Sequence, residues 1–167
     1  MDPYSGKAYN NLGLVYHRQN MLAKAAAYYQ QACQLGAAIG CANQQKLQKV
    51  ADSLVKKSAE YFSKGQYDKV VEATTQAIGL DQKLAMAYVN RSGAYANLGQ
   101  FEPAIADAKK ATALDPNSCL AFNNLGFAQE KSGDQTLAGV NYEISCSLGC
   151  EIGCSNQRRL RALVGQQ

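Results

Sequence analysis

Apolar and small residues recur along this chain with the period of a helix, in pairs of short segments. Tyr9, Leu12, Gly13 and Tyr16 fall on one face of a first segment, and Ala25, Tyr29 and Ala32 on one face of a second. The pattern returns as Leu54 and Tyr61 followed by Val70 and Ala77. It returns again as Tyr88 and Tyr95 followed by Ala104, Ala108 and Ala111, then as Phe122, Leu125 and Gly126 followed by Ala138 and Tyr142. A glycine-bearing polar break separates the members of the later pairs: Lys64-Gly65-Gln66-Tyr67, Leu98-Gly99-Gln100-Phe101 and Ser132-Gly133-Asp134-Gln135. Prolines occur only at 3, 103 and 116, and β-branched residues are few, so the chain reads as all-α.

The pattern is also periodic at long range. Residues 2–47 and 115–160 align without a gap at a distance of 113 residues, with nineteen of 46 positions identical. Such a repeat marks a stacked solenoid, in which each unit buries its apolar face only against its neighbours. Units start at 6, 51, 85 and 119, so eleven extra residues lie between the first two. Residues 41–64 contain neither Pro nor Gly and predict one long helix near 41–64, extending the second unit by about three turns. The stretch 154–164 is its counterpart and predicts a C-terminal capping helix with part of its apolar side unpaired. Asp2-Pro3 aligns with Asp115-Pro116, a loop that follows a helix, so the expectation is that Met1 replaces upstream sequence in a longer array.

These residues resemble the tetratricopeptide repeat, a helix–turn–helix unit of 34 residues. The first unit matches at Tyr9, Leu12-Gly13, Tyr16, Ala25, Tyr29 and Ala32; the second departs from the pattern at Lys57-Ser58. The resemblance implies a right-handed α–α superhelix: a single domain over 1–167, with units near 6–39, 51–84, 85–118 and 119–152 plus the capping helix. It also implies a concave groove, lined by the first helix of each unit, that binds an extended peptide. Groove positions then fall on Asn11, Lys56, Asn90 and Asn124, a ladder of amides able to donate to and accept from a peptide backbone. Asn10, Asn97 and Asn123 join that face, and Leu14, Val55, Val89, Phe127 and Met86 add apolar contact. An equally weighted alternative makes these amides hydrogen bonds between neighbouring units. The segment 87–95 resembles co-chaperones that clamp acidic C-terminal tails of heat-shock chaperones. Of the five clamp positions only Asn90 matches; the others read Val55, Ala59, Leu120 and Asn124, so the ligand is expected not to depend on a terminal carboxylate.

Six cysteines change the picture further. Cys33 and Cys41, and Cys146 and Cys154, share the frame Cys-x-Leu-Gly-x-x-Ile-Gly-Cys. This frame resembles the cysteine-rich Sel-like repeats of bacteria, which implies a disulfide within each pair. In the first copy Gly6 and Ala37 replace Cys119 and Cys150. Joint loss of both thiols fits a third bond between them, and coincidence stays open. Buried free thiols acting as small hydrophobes remain an alternative, as does a zinc site of Cys146, Cys150 and Cys154, although its spacing is unusual and Gly149 and Gly153 are read as interrupting the helix. Disulfides would place the chain in a periplasm or outside the cell; without them the expectation is cytoplasmic.

Composition narrows the function. The net charge of +4 is mild, and the basic runs Lys46, Lys49, Lys56, Lys57 and Arg158, Arg159, Arg161 read as solvated faces rather than a nucleic-acid surface. No apolar run reaches the length of a membrane span. The only histidine, His17, reads as a solvated surface side chain, and the aspartates read as caps and loop residues. Phosphate-cradling glycine loops and C-x-x-C are both absent. The expected function is a non-enzymatic scaffold for a protein or peptide partner, without metal or cofactor. The alternative is an array segment that self-associates or stacks end to end.

Overall fold

The computed structural model describes residues 5–164, all of whose regular structure is helical. In chain order the helices are α1 (Gly6–Arg18), α2 (Leu22–Gln34), α3 (Ala38–Ser63), α4 (Tyr67–Leu80), α5 (Ala85–Asn97), α6 (Phe101–Leu114), α7 (Cys119–Lys131), α8 (Gln135–Ser147) and α9 (Glu151–Val164). Each packs on the next, and α5 also meets α7, α3 meets α5, and α1 meets α3. The result is a one-dimensional stack of helical pairs with the odd-numbered helices side by side.

Local chemistry sets the ends of these helices. The turn inside each pair needs a left-handed residue, supplied by Gly65, Gly99 and Gly133 and, in the first pair, by Asn20 at φ 58°. The residue after it folds back to donate to the helix: Gln100 N to Tyr95 O at 2.8 Å, and Met21 N to Tyr16 O at 2.9 Å. Ser5, Ser118 and Asp134 cap α1, α7 and α8 by accepting backbone N–H groups. Two aspartates depart from the cap-and-loop expectation. Asp52 lies within α3, and Asp107, within α6, accepts from Arg91 Nε at 2.6 Å and Nη2 at 2.9 Å.

Within each pair, side-chain size is matched across the crossing. Gly13 faces Tyr29, and a Cβ on Gly13 would lie 2.5 Å from that ring; Gly126 faces Tyr142 in the same way, at 2.9 Å. Both tyrosines are fully buried. Where the second helix carries the smaller Thr74 or Ala108 in that place, the first carries Ser58 or Ser92 instead. Close packing therefore keeps the helix spacing while the residues exchange volume.

The two copies of the 113-residue repeat can be compared contact by contact. His17 Nδ1 lies 3.2 Å from Tyr29 Oη; Tyr142 donates to Glu130 at 2.8 Å at the equivalent positions. Exposed His17 thus still has a partner. Tyr16 stacks on Tyr28 at 5.1 Å, whereas Gln129 and Asn141 replace that stack with a hydrogen bond of 2.7 Å.

The long helix is present but starts earlier than expected, at Ala38 rather than 41, and α9 starts at Glu151 rather than 154. Gly40 and Gly153 do not interrupt a helix. They lie in the first turns, buried, where a Cβ on Gly40 would approach Ala32 Cβ to 2.5 Å and one on Gly153 would overlap Ser145. The true stops are Gly36 (φ 80°) and Gly149 (φ 91°). Three disulfides bracket these turns: Cys33–Cys41 and Cys146–Cys154, each with Cα atoms 4.5 Å apart, and Cys119–Cys150 at 5.6 Å. All six cysteines are therefore bonded, which displaces both the free-thiol and the zinc alternatives. In the first copy Gly6 abuts Ala37, where a Cβ would lie 2.9 Å from the alanine methyl; the second copy spans the same place with Cys119–Cys150.

Candidate functional site: a groove walled by α5, α7 and α9

The first half of α3 packs beside α1, and its second half beside α5. Asn43 Nδ2 accordingly donates to Asn10 at 3.0 Å, whereas Asn90 Nδ2 on α5 donates to Ser58 at 2.8 Å. This double pairing breaks the asparagine ladder. Asn10, Asn11 and Leu14 stand at the α1 end, away from Val55 and Lys56, and none of these five borders the main groove cavity. Met86 is exposed outside it as well.

The other six expected residues do converge. Val89, Asn90 and Asn97 on α5, with Asn123, Asn124 and Phe127 on α7, line a cavity of about 470 Å³. Phe62 from the end of α3 and Gly93 of α5 complete one side. Leu120 of α7 and Ile152 and Asn156 of α9 complete the other. Leu120 and Ile152 are 44% and 54% exposed, so both offer apolar surface to solvent at the rim. None of the lining side chains is charged.

The amides in this groove are oriented by their neighbours. Ser58 Oγ donates to Val55 O at 2.7 Å, so it can only accept from Asn90, and Asn90 must present its NH₂ there. Asn124 Nδ2 donates to Val89 O at 3.0 Å and Asn97 Nδ2 to Gly93 O at 2.8 Å. Among the described residues the carbonyl Oδ1 of Asn90 and Asn124 then has no donor. Both atoms reach solvent, because every buried side-chain N or O among the described residues is paired. Each of these two amides thus ties neighbouring helices together through its nitrogen while its oxygen faces outward.

The α9 wall, read from sequence as a cap, is positioned by several groups. Asn156 Nδ2 donates to Asn123 at 2.9 Å, and Leu160 is buried against Tyr142 and Ala138. Arg159 grips Glu130 through Nη1 at 2.7 Å and Nη2 at 2.6 Å. That guanidinium, helped by the Tyr142 hydroxyl, holds the Glu130 carboxyl below the usual carboxylate range. Burial, reinforced by Glu130, pushes the Tyr142 phenol up. Ile152 and Asn156 could have been found by sequence reasoning, since Ile39 and Asn43 repeat them at 113 residues. Nothing in the periodicity marks Phe62.

Comparison with known proteins agrees with this geometry. A family model described as "Tetratricopeptide repeat" matches residues 6–36, and one described as "TPR repeat" matches 93–133. Residues 6–36 and 93–133 thus carry tetratricopeptide-repeat sequence. A search of curated proteins finds no match. Among solved structures, the TPR domain of Sgt2 from Aspergillus fumigatus superposes with a TM-score of 0.65 at 25% identity, over 70% of this chain and 80% of that one. The TPR2B domain of yeast Sti1, solved in complex with pHsp70, is 29% identical, with a TM-score of 0.59 over 69% of this chain and 93% of its own. The TPR2AB domain of yeast Sti1, in complex with pHSP90, is similar over 95% of this chain and 67% of that one, at 26% identity and a TM-score of 0.58. These neighbours share the all-α stack of tetratricopeptide-like helical pairs seen here. Among the described residues no helix is long and apolar enough to cross a membrane.

Proposed function

We propose that this chain is a non-enzymatic scaffold whose α5–α7–α9 groove binds an extended peptide segment of a protein partner. The observation that carries the reading is the cavity itself: an apolar floor of Val89, Phe127 and Phe62, apolar rims at Leu120 and Ile152, and outward amide oxygens at Asn90 and Asn124. An inserted aliphatic or aromatic side chain supplies most of the affinity, and backbone N–H groups of the ligand meet the amide oxygens. The yeast Sti1 neighbours bind heat-shock peptides, which supports peptide binding as a class. Four of the five clamp positions here are uncharged residues other than those a carboxylate needs, so the ligand segment is internal rather than C-terminal. The cysteine frame supports the finer Sel-like reading, and three disulfides support residence in an oxidising compartment.

The test uses peptides selected on the oxidised protein from a library blocked at both ends. Leu120→Asp places an uncompensated charge on an exposed rim and leaves the fold intact. It should weaken the selected peptide at least tenfold; an unchanged affinity removes the groove assignment.

A second reading, end-to-end stacking, draws on one observation. Leu12 and Val15 of α1 are 45% and 50% exposed, whereas their equivalents Leu125 and Ala128 are 6% and 0% exposed beneath α5 and α6. A strict monomer by light scattering at high concentration would remove self-association.

A further inference from the structure

We propose that the groove is redox-gated: the Cys119–Cys150 and Cys146–Cys154 disulfides hold α9 as its third wall, and their reduction releases that wall while α3 to α6 stay folded. The proposal rests on the peptide-binding reading for what the gate controls, but the position of the wall is a separate matter.

Both bonds flank the lining residues. Leu120 follows Cys119 directly; Ile152 lies between Cys150 and Cys154, and Asn156 two residues beyond. One bond ties the turn before α9 to the start of α7. The other ties the first turns of α9 to the end of α8. The beginning of α9 is thereby fixed to two helices at once, and with it both rims of the cavity.

Apart from the disulfides, α9 is held by Leu160, by the Asn156–Asn123 hydrogen bond and by the Arg159–Glu130 pair. Of residues 151–163, only Gly153 and Leu160 are buried. The Arg159–Glu130 pair is bidentate but partly open to water, with Arg159 45% and Glu130 13% exposed, so it is a modest tether. A 14-residue helix with so small a buried face is marginal by itself.

The comparison of copies points the same way. The first copy retains Cys33–Cys41 but has Gly6 and Ala37 in place of the second bond. The extra disulfide occurs in the copy whose residues line the cavity. The chemistry balances with a dithiol reductant. Its thiolate attacks one sulfur and breaks the S–S bond; the mixed disulfide then resolves, the reductant leaves as its own disulfide, and two electrons and two protons remain as a pair of cysteine thiols.

Hydrogen exchange read by mass spectrometry tests this on the full chain, oxidised, reduced with excess dithiothreitol, and as C119A/C150A. Residues 151–160 should exchange at least tenfold faster in the reduced protein, residues 85–114 within twofold of the oxidised rate, and reoxidation should restore protection. C33A/C41A should leave 151–160 unchanged. Unchanged exchange of 151–160 after full reduction would overturn the gate, and so would loss of protection along the whole chain together. A loosened wall with undiminished binding of the selected peptide would also overturn it. Failure of any blocked peptide to bind the oxidised protein would instead count against the groove reading, with the exchange result still deciding the wall.

Discussion

Gly126 shows how much of this molecule is decided by single side chains. A methyl group there would meet the Tyr142 ring at 2.9 Å and the Ala138 carbonyl at 3.1 Å, and the ring is fully buried and hydrogen-bonded to Glu130. Alanine is favoured over glycine within a helix by up to about 1 kcal/mol, but overpacking of a fixed ring costs about 1–3 kcal/mol. Gly126→Ala should therefore lower stability by about 1–2 kcal/mol in denaturant unfolding; a gain in stability would contradict the crossing described. Glu130 gives a prediction in pH. Its folded carboxyl titrates below the unfolded value of about 4.3. Its stabilising contribution is therefore complete above that value and lost as pH falls through the lower folded pKa. Glu130→Gln should cost about 1 kcal/mol at neutral pH, given the half-exposed Arg159 partner. It should also flatten the acid limb of the stability profile; an identical acid limb would show that Glu130 is not responsible.

At the level of helices, most of the architecture was legible and the interpretation of glycine was not. The 3.6-residue pattern and the breaks at Gly65, Gly99 and Gly133 located the pairs because left-handed turns demand such residues. The long α3 was legible as a stretch free of breakers. Gly40 and Gly153 misled the boundaries because a glycine chosen for close helix contact looks, in sequence, like one chosen for a turn. Only the structure separates them: Gly36 and Gly149 have positive φ, whereas Gly40 and Gly153 are helical and pressed against α2 and α8. The groove was half legible. Asn90, Asn97, Asn123, Asn124, Val89 and Phe127, which the repeat resemblance places on the groove face, do line the cavity. The displacement of Asn11 and Leu14 was not legible, because it depends on which half of α3 lies beside α1. The role of α9 as a wall is marked in the sequence only by the 113-residue repeat, in which Ile39 and Asn43 recur as Ile152 and Asn156, because α9 lies outside the paired pattern.

Across the whole molecule, the eleven-residue extension of α3 divides the concave side into two unequal parts. The α1 end exposes Leu12, Leu14 and Val15; the α5–α7–α9 end holds the cavity. The disulfides follow the same division, one at the first end and two at the second. The proposed binding site therefore lies at the α5–α7–α9 end, with Phe62 of α3 completing its lining.

The most direct test of that account is nuclear magnetic resonance of the asparagine side-chain amides during titration with a selected, end-blocked peptide. The account predicts that the signals of Asn90, Asn97, Asn124 and Asn156 shift saturably while those of Asn10 and Asn11 stay in place. Shifts confined to Asn10 and Asn11, or absent from Asn90 and Asn124 at saturation, would contradict it.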